Sequence, residues 1–148
     1  MTYKRILVPV DGSATSDKAV ASAIELARRN DGHVRFLFCL DELALASGPE
    51  YSGHAVEAAR DEARAILARA RSSAERAAVP ADVHLDESPG KRLGHCVADQ
   101  ASEWKADLVV VGTHGRKGLA RVLMGSGAES IIREAPGPVL VIRGGDGA

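Results

Sequence analysis

The sequence reads Asp107-Leu108-Val109-Val110-Val111-Gly112 along its fourth apolar run. Four aliphatic residues with no polar residue between them are typical of a parallel strand that is buried on both faces of a sheet. A glycine-rich stretch follows this run directly. Because ligands of open parallel sheets bind beyond the carboxyl ends of the strands, the run indicates both the fold class and the region of a site.

Short apolar segments alternate with helical patterns on both sides of this run. The strand patterns lie at 6–10, 34–40, 83–85, 107–112 and 139–142, and helical spacing of apolar residues separates them. Strict alternation predicts an α/β fold with a five-stranded parallel, doubly wound sheet and helices on both faces. Ser13 or Ser16 is available to cap the first helix. Pro9 cannot donate to a sheet ladder and is therefore expected at the last positions of the first strand.

Length and charge limit the class of protein. The chain has 148 residues, so we expect a single domain over 1–148 with a frayed tail at 143–148. Lys and Arg number 19 and Asp and Glu 20, a balance that argues against a nucleic-acid partner. No apolar run approaches the roughly 20 residues of a membrane span, and the start of the chain lacks the pattern of a secretory signal. We expect a cytoplasmic protein with no membrane partner.

The residue types that usually carry catalysis or metal binding show no suitable pattern. The two cysteines, Cys39 and Cys96, do not make a disulfide framework. Cys39 lies in an apolar strand-like run, where a buried, reduced thiol is expected. The five histidines lack the spacing of metal ligands, and no serine stands in a GxSxG motif. No metal site and no catalytic residue is predicted.

The segment after the fourth strand carries the strongest signal for a ligand. Its glycines let backbone amides approach an anion, and the helix that begins at 125–128 offers free N–H groups and the positive end of its dipole. Three cations and no acidic residue lie between 108 and 128. A flexible surface loop with solvated charges is the alternative. The residues expected at this phosphate site are Gly112, His114, Gly115, Arg116, Gly125, Ser126, Gly127 and Ala128.

Asp11 offers a carboxylate after the first strand, at the same edge of the sheet. It can accept hydrogen bonds from a ribose or a base, and capping of the following helix is an equal alternative. Two other phosphate motifs are excluded. Lys117 is followed by Gly118 and not by Ser or Thr, so the Walker A pattern is absent. The GxGxxG-like stretch 125–130 does not follow a strand, which argues against a dinucleotide site.

Three segments, in order, resemble the universal stress protein family. Gly112-Thr113-His114-Gly115, followed after nine residues by Gly125-Ser126, resembles the G-x2-G-x9-G-[S/T] motif of the ATP-binding members. The stretches 6–13 and 135–142 are also similar to that family, so the resemblance runs from near the first residue to Ile142. Gly127 is a departure, because an apolar residue often follows Gly-Ser in the family.

The resemblance implies a sheet of order 3-2-1-4-5 and an adenine nucleotide as ligand: ATP, AMP or ADP, with Mg²⁺ accompanying ATP. It places Pro9, Val10 and Asp11 beside the adenosine and the backbone around Cys39 against the adenine. Ribose and phosphates would lie on Gly112, Gly115, Gly125 and Ser126. It also implies a regulatory role in the stress response and a homodimer that pairs through strand 139–142.

Two other functions fit parts of the sequence. A slow ATPase would need a positioned water molecule, for which Asp11 and His114 are the candidates, and neither has an evident partner. A phosphoacceptor receiver domain can share five parallel strands, with Asp86 as the acceptor. Such a domain needs an acidic pair after strand 1 and a lysine after strand 5, where this chain has a lone Asp11 and Arg143. Weak or absent turnover is therefore expected.

Overall fold

The strands and helices follow the order that the apolar pattern predicts. A computed structural model describes residues 2–41, 53–88, 90–113 and 125–144. The strands are β1 Arg5–Pro9, β2 His33–Cys39, β3 Ala81–Asp86, β4 Leu108–Thr113 and β5 Val139–Arg143. The helices of the described ranges are α1 Ala14–Asn30, α2 Gly53–Arg76, α3 Leu93–Trp104 and α4 Gly125–Glu134.

The sheet has five strands in the order β3-β2-β1-β4-β5, and every neighbouring pair is parallel. The predicted fold class and strand order are confirmed. Leu7 of β1 lies opposite Arg35 of β2 and Val109 of β4, so β1 is the centre of the sheet. Strand order reverses between β1 and β4, and this switch point is where a doubly wound sheet opens a crevice for a ligand.

Alternate residues of the central strands supply two separate cores, one on each face of the sheet. Ile6 and Val8 pack with α1 and α2 on one face. Leu7 and Val109 pack with α3 and α4 on the other. Because side chains alternate across a strand, each central strand must be apolar on both sides, which explains its unbroken aliphatic run. The predicted placement of helices on both faces is confirmed.

Local hydrogen bonds fix where the elements begin and end. Ser13 caps α1, since its Oγ accepts a hydrogen bond of 3.1 Å from the backbone N–H of Ser16. Pro9 is the last residue of β1, as predicted. The helix α2 ends at Arg76, before Pro80, because Ala78 adopts a left-handed conformation with φ +59°. Arg143, which was expected in the frayed tail, belongs to β5, and residues 145–148 lie outside the described ranges.

The prediction of a reduced Cys39 is wrong, because Cys39 and Cys96 form a disulfide. Cys39 is the last residue of β2 and Cys96 lies in the first turn of α3, on the same face of the sheet. Their Cα atoms are 6.6 Å apart, which is within the range that a disulfide spans. The two residues are 57 positions apart in sequence, so only the fold brings them together.

Two kinds of feature are missing from the ranges that the structure describes. No helix there is long and apolar enough to cross a membrane. No group of three or more His, Cys, Asp or Glu side chains stands close enough together there to hold a metal ion.

Candidate functional site

A cavity of about 280 Å³ opens at the carboxyl edge of the sheet, beyond the ends of β2 and β3. The ends of the two strands form one side of it, and the turn before α3 with the first turn of that helix forms the other. Parallel sheets bind ligands at their carboxyl edge, and the cavity lies on this edge, to one side of the switch point between β1 and β4. The lining residues are Cys39, Leu40, Asp41, Asp86, Ser88, Lys91, Arg92, Leu93 and Cys96.

Backbone hydrogen bonds hold the walls of this cavity together. The N–H of Leu40 donates to the carbonyl oxygen of Asp86 over 2.8 Å, which joins the ends of β2 and β3. The N–H of Gly90 donates to Oδ1 of Asp41 over 3.0 Å, which ties the turn before α3 to β2. One bond therefore joins the two strand ends, and the other connects them to the turn before α3.

Charges of both signs line the cavity. Burial opposes the ionised form of Asp86, but hydrogen bonds from Ser88 and the charges of Lys91 and His84 hold the pKa of its carboxyl below the ordinary value. The ammonium group of Lys91 donates to Asp99 over 2.6 Å, and this bond raises the pKa of Lys91. Arg92 is exposed and forms no ion pair with any residue of the described ranges. The cavity thus offers a fixed carboxylate and an accessible guanidinium.

The segment after β1 lies beside the end of β2. The N–H of Val10 donates to the carbonyl oxygen of Leu37 over 2.8 Å, which continues the ladder beyond Pro9. Val10 is buried in the core with α1 and α2, and it lines a different cavity, of about 300 Å³, between those helices. Asp11 is exposed, and its Oδ1 accepts a hydrogen bond of 2.9 Å from the N–H of Ser13. Because Ser13 caps α1, Asp11 does not have that role.

The amino end of α4 adjoins the cavity through Leu93. A Cβ atom on Gly127 would lie 2.7 Å from Cδ2 of Leu93, so the missing side chain makes room for this cavity residue. The side chain of Ala128 is buried in the core with Ile131, so only its backbone could contact a ligand. The first turn of α4 presents backbone N–H groups to the carboxyl edge of the sheet, where an anion is stabilised by the helix dipole.

Gly112 has a packing role in addition to the role that its motif suggests. A Cβ atom there would lie 2.6 Å from the carbonyl oxygen of Thr15 in α1. The close approach of β4 to α1 therefore requires a glycine, whatever binds at the strand's end. His114, Gly115 and Arg116 lie outside the described residues, as do Lys117 and Arg121. For Gly125 and Ser126, the structure describes only their place at the start of α4.

The turn after β3 contributes most of the residues that the sequence reasoning missed. It supplies Ser88, Lys91, Arg92 and Leu93 to the cavity. Asp86 was considered only as a phosphate acceptor. One signal could have found the turn: all carboxyl ends of a parallel sheet meet at one edge, so the segment after every strand is a candidate.

Comparisons with known proteins give a consistent result. Residues 2–143 match the universal stress protein family. A universal stress protein of Methanocaldococcus jannaschii is 35% identical over 143 residues, which are 95% of this chain and 82% of that protein. A protein of the same family from Burkholderia pseudomallei has a solved structure that is 31% identical, with a TM-score of 0.78 over 95% of this chain and 96% of that chain. The universal stress protein from Archaeoglobus fulgidus, solved in complex with dAMP, is 26% identical, with a TM-score of 0.71 over 96% of this chain and 99% of that chain.

Proposed function

Because this chain belongs to the universal stress protein family, we propose that it binds an adenine nucleotide at the carboxyl edge of its sheet and acts as a regulator in the stress response. The ligand is ATP, ADP or AMP, and Mg²⁺ accompanies ATP. The observation that carries this proposal is the cavity between β2, β3 and α3, beside the amino end of α4. The relative from Archaeoglobus fulgidus, which was solved with dAMP, supports the choice of adenine.

The size of the cavity indicates which part of the nucleotide it can enclose. At about 280 Å³ it is near the lower limit of small-molecule sites, which enclose roughly 300–1,000 Å³. The base therefore occupies the cavity, and the phosphates lie outside it. The first turn of α4 and the exposed guanidinium of Arg92 are positive groups that could meet the phosphates there.

Hydrogen-bond acceptors in the cavity suit the amino group of an adenine base. The N–H of Leu40 is already bonded to Asp86, so it does not donate to a base. The carboxylates of Asp41 and Asp86 accept hydrogen bonds, and the low pKa of Asp86 keeps it an acceptor at neutral pH. The 6-amino group of adenine donates to such groups. The N1–H and 2-amino groups of guanine can donate to them as well, so the choice of adenine rests on the relative that was solved with dAMP.

Assembly and location complete the proposal. We propose a homodimer that pairs through β5 and a cytoplasmic location, both as the sequence led us to expect. Asp11 remains at the ribose edge as a proposed ligand for a hydroxyl group, because its side chain is exposed there.

Gly125→Val tests the phosphate side of the site. A branched side chain at the first residue of α4 would occupy the space that a phosphate needs beside the helix N–H groups. We expect isothermal titration to show loss of ATP binding, at least tenfold in affinity, with circular dichroism unchanged. Gly137→Val is the matched control, because a Cβ atom there meets nothing within 4 Å. Wild-type affinity in a folded Gly125→Val protein would remove this residue from the site.

A further inference from the structure

The Cys39–Cys96 disulfide lies in the wall of the candidate cavity. Both cysteines line it, although Cys96 is only 1% exposed and belongs to the core that α3 forms with the sheet. Cys39 is partly exposed at the end of β2. A small thiol that enters the cavity therefore reaches the disulfide from the Cys39 side. Every cysteine of the chain is in this bond.

This bond joins the two walls of the cavity covalently. Cys39 belongs to the strand side and Cys96 to the helix side. A single hydrogen bond, from the N–H of Gly90 to Asp41, also connects the turn before α3 to the end of β2. Loss of the covalent tie would leave the first turn of α3 held on this side by packing and single hydrogen bonds. A looser wall binds a rigid base less well, because binding must then order it.

We propose that Cys39–Cys96 is a thiol–disulfide exchange site whose redox state sets the affinity of the nucleotide cavity, an inference that rests on the proposed function. The co-reactant is a dithiol reductant, either a small dithiol or the CXXC pair of a protein. In reducing compartments, disulfides are usually transient and redox-sensing. The disulfide form is the one with the tighter cavity.

Exchange begins at the sulfur that is accessible. A thiolate of the reductant attacks Sγ of Cys39, forming a mixed disulfide, and Cys96 leaves as a thiolate that takes up a proton. The second thiol of the reductant then attacks the reductant's sulfur in the mixed disulfide, which forms a disulfide within the reductant. Cys39 leaves as a thiolate and takes up a proton. Two electrons and two protons pass to the protein, and the reductant becomes a cyclic or internal disulfide.

Thermodynamic linkage makes the coupling reciprocal. If the oxidised protein binds a nucleotide more tightly, the nucleotide stabilises the disulfide by the same factor. A tenfold difference in affinity corresponds to a shift of about 30 mV in the reduction midpoint, and a fivefold difference to about 20 mV. The two measurements are independent and must agree.

The test uses the full chain, oxidised and dithiothreitol-reduced, with ATP as the probe. Isothermal titration should give an affinity at least about fivefold higher for the oxidised protein, and ATP should lower the reduction midpoint by about 20 mV or more. Cys96→Ala should bind like the reduced protein and be indifferent to dithiothreitol. Val97→Ala removes volume from the same buried turn but keeps the disulfide, so it should retain the difference between the two states.

Other results have distinct meanings. Equal ATP affinities in the two states overturn the coupling and leave nucleotide binding intact. Absence of ATP binding in both states overturns the proposed function and the coupling with it. Thiols that become available only in denaturant, as counted by alkylation and mass spectrometry, overturn access through the cavity. Circular dichroism of each variant excludes unfolding as the cause of a lost affinity.

Discussion

Gly94 and Ser130 show how a single hydrogen atom in place of a side chain sets the distance between two helices. A Cβ atom on Gly94 would lie 2.6 Å from the carbonyl oxygen of Ser130 and 2.8 Å from its Oγ. That carbonyl belongs to the backbone of α4, so it cannot move aside as the end of a flexible side chain can. The packing of α3 on α4, which positions one wall of the cavity, depends on this contact.

Gly94→Ala should therefore destabilise the protein. Overpacking typically costs about 1–3 kcal/mol, and the better helix propensity of alanine returns roughly 0.5–1 kcal/mol of it. We expect a lower urea midpoint with an unchanged slope of unfolding. Gly137→Ala is the control, since its Cβ would meet open space, and it should be neutral or slightly stabilising. Equal midpoints for the two variants would show that α3 and α4 tolerate a wider separation.

The individual residues also mark the limit of what the sequence could predict. Gly112 was assigned to an anion by its motif, and the structure adds a packing reason, the approach of Thr15, that no motif contains. The disulfide was missed because its cysteines are 57 positions apart in sequence and neither stands in a recognisable spacing. Contacts that only the tertiary fold creates leave no local pattern.

The strand β5 has an apolar outer edge that is open to pairing with another chain. It is the last strand of the sheet, and it carries no Lys or Pro that would discourage pairing. Leu140 is 38% exposed on it. An apolar outer strand invites pairing with another chain unless the native assembly covers it. A twofold axis lets two copies cover each other with the same patch, which is the reason for proposing the dimer.

Leu140→Lys should dissociate this dimer. The side chain is already partly in solvent, so the change costs the fold little, while two lysines near a twofold axis repel each other. Sedimentation velocity over a concentration series should show dimers for the wild type and monomers for the variant. Ala65→Lys adds the same charge on the exposed face of α2 and should stay dimeric. A wild-type chain that is monomeric at high micromolar concentration would refute the pairing.

The elements were predictable because each carries its own period of apolar residues. All five strands were placed correctly, with ends that differ by at most two residues. The helix α2 ends at Arg76, well before Pro80, because of the left-handed turn at Ala78. An alanine does not indicate a positive φ as a glycine would, so the residue type could not predict this end of α2.

At the scale of the whole molecule, the order of the strands determines where the site can be. The strand order reverses between β1 and β4, which leaves a crevice at the carboxyl edge of the sheet. The cavity lies beside this crevice, at the ends of β2 and β3. The sequence predicted a site at this edge and at the start of the helix that begins at Gly125. The family resemblance also placed Cys39 at this edge. It did not predict the turn after β3, because that turn has no phosphate motif and its role arises only from its neighbours.

The measurement that tests the central claim most directly is an ATP titration followed by amide ¹H–¹⁵N spectra of the labelled protein, with GTP as the comparison. ATP should shift the amide signals of Leu40, Asp41, Lys91 and Leu93, together with those at the start of α4, and GTP should shift them much less. The groove between α2 and β3, lined by Leu67 and Val83, should be unaffected. Shifts confined to that groove, or an unchanged spectrum at saturating ATP, would contradict adenine-nucleotide binding at the carboxyl edge.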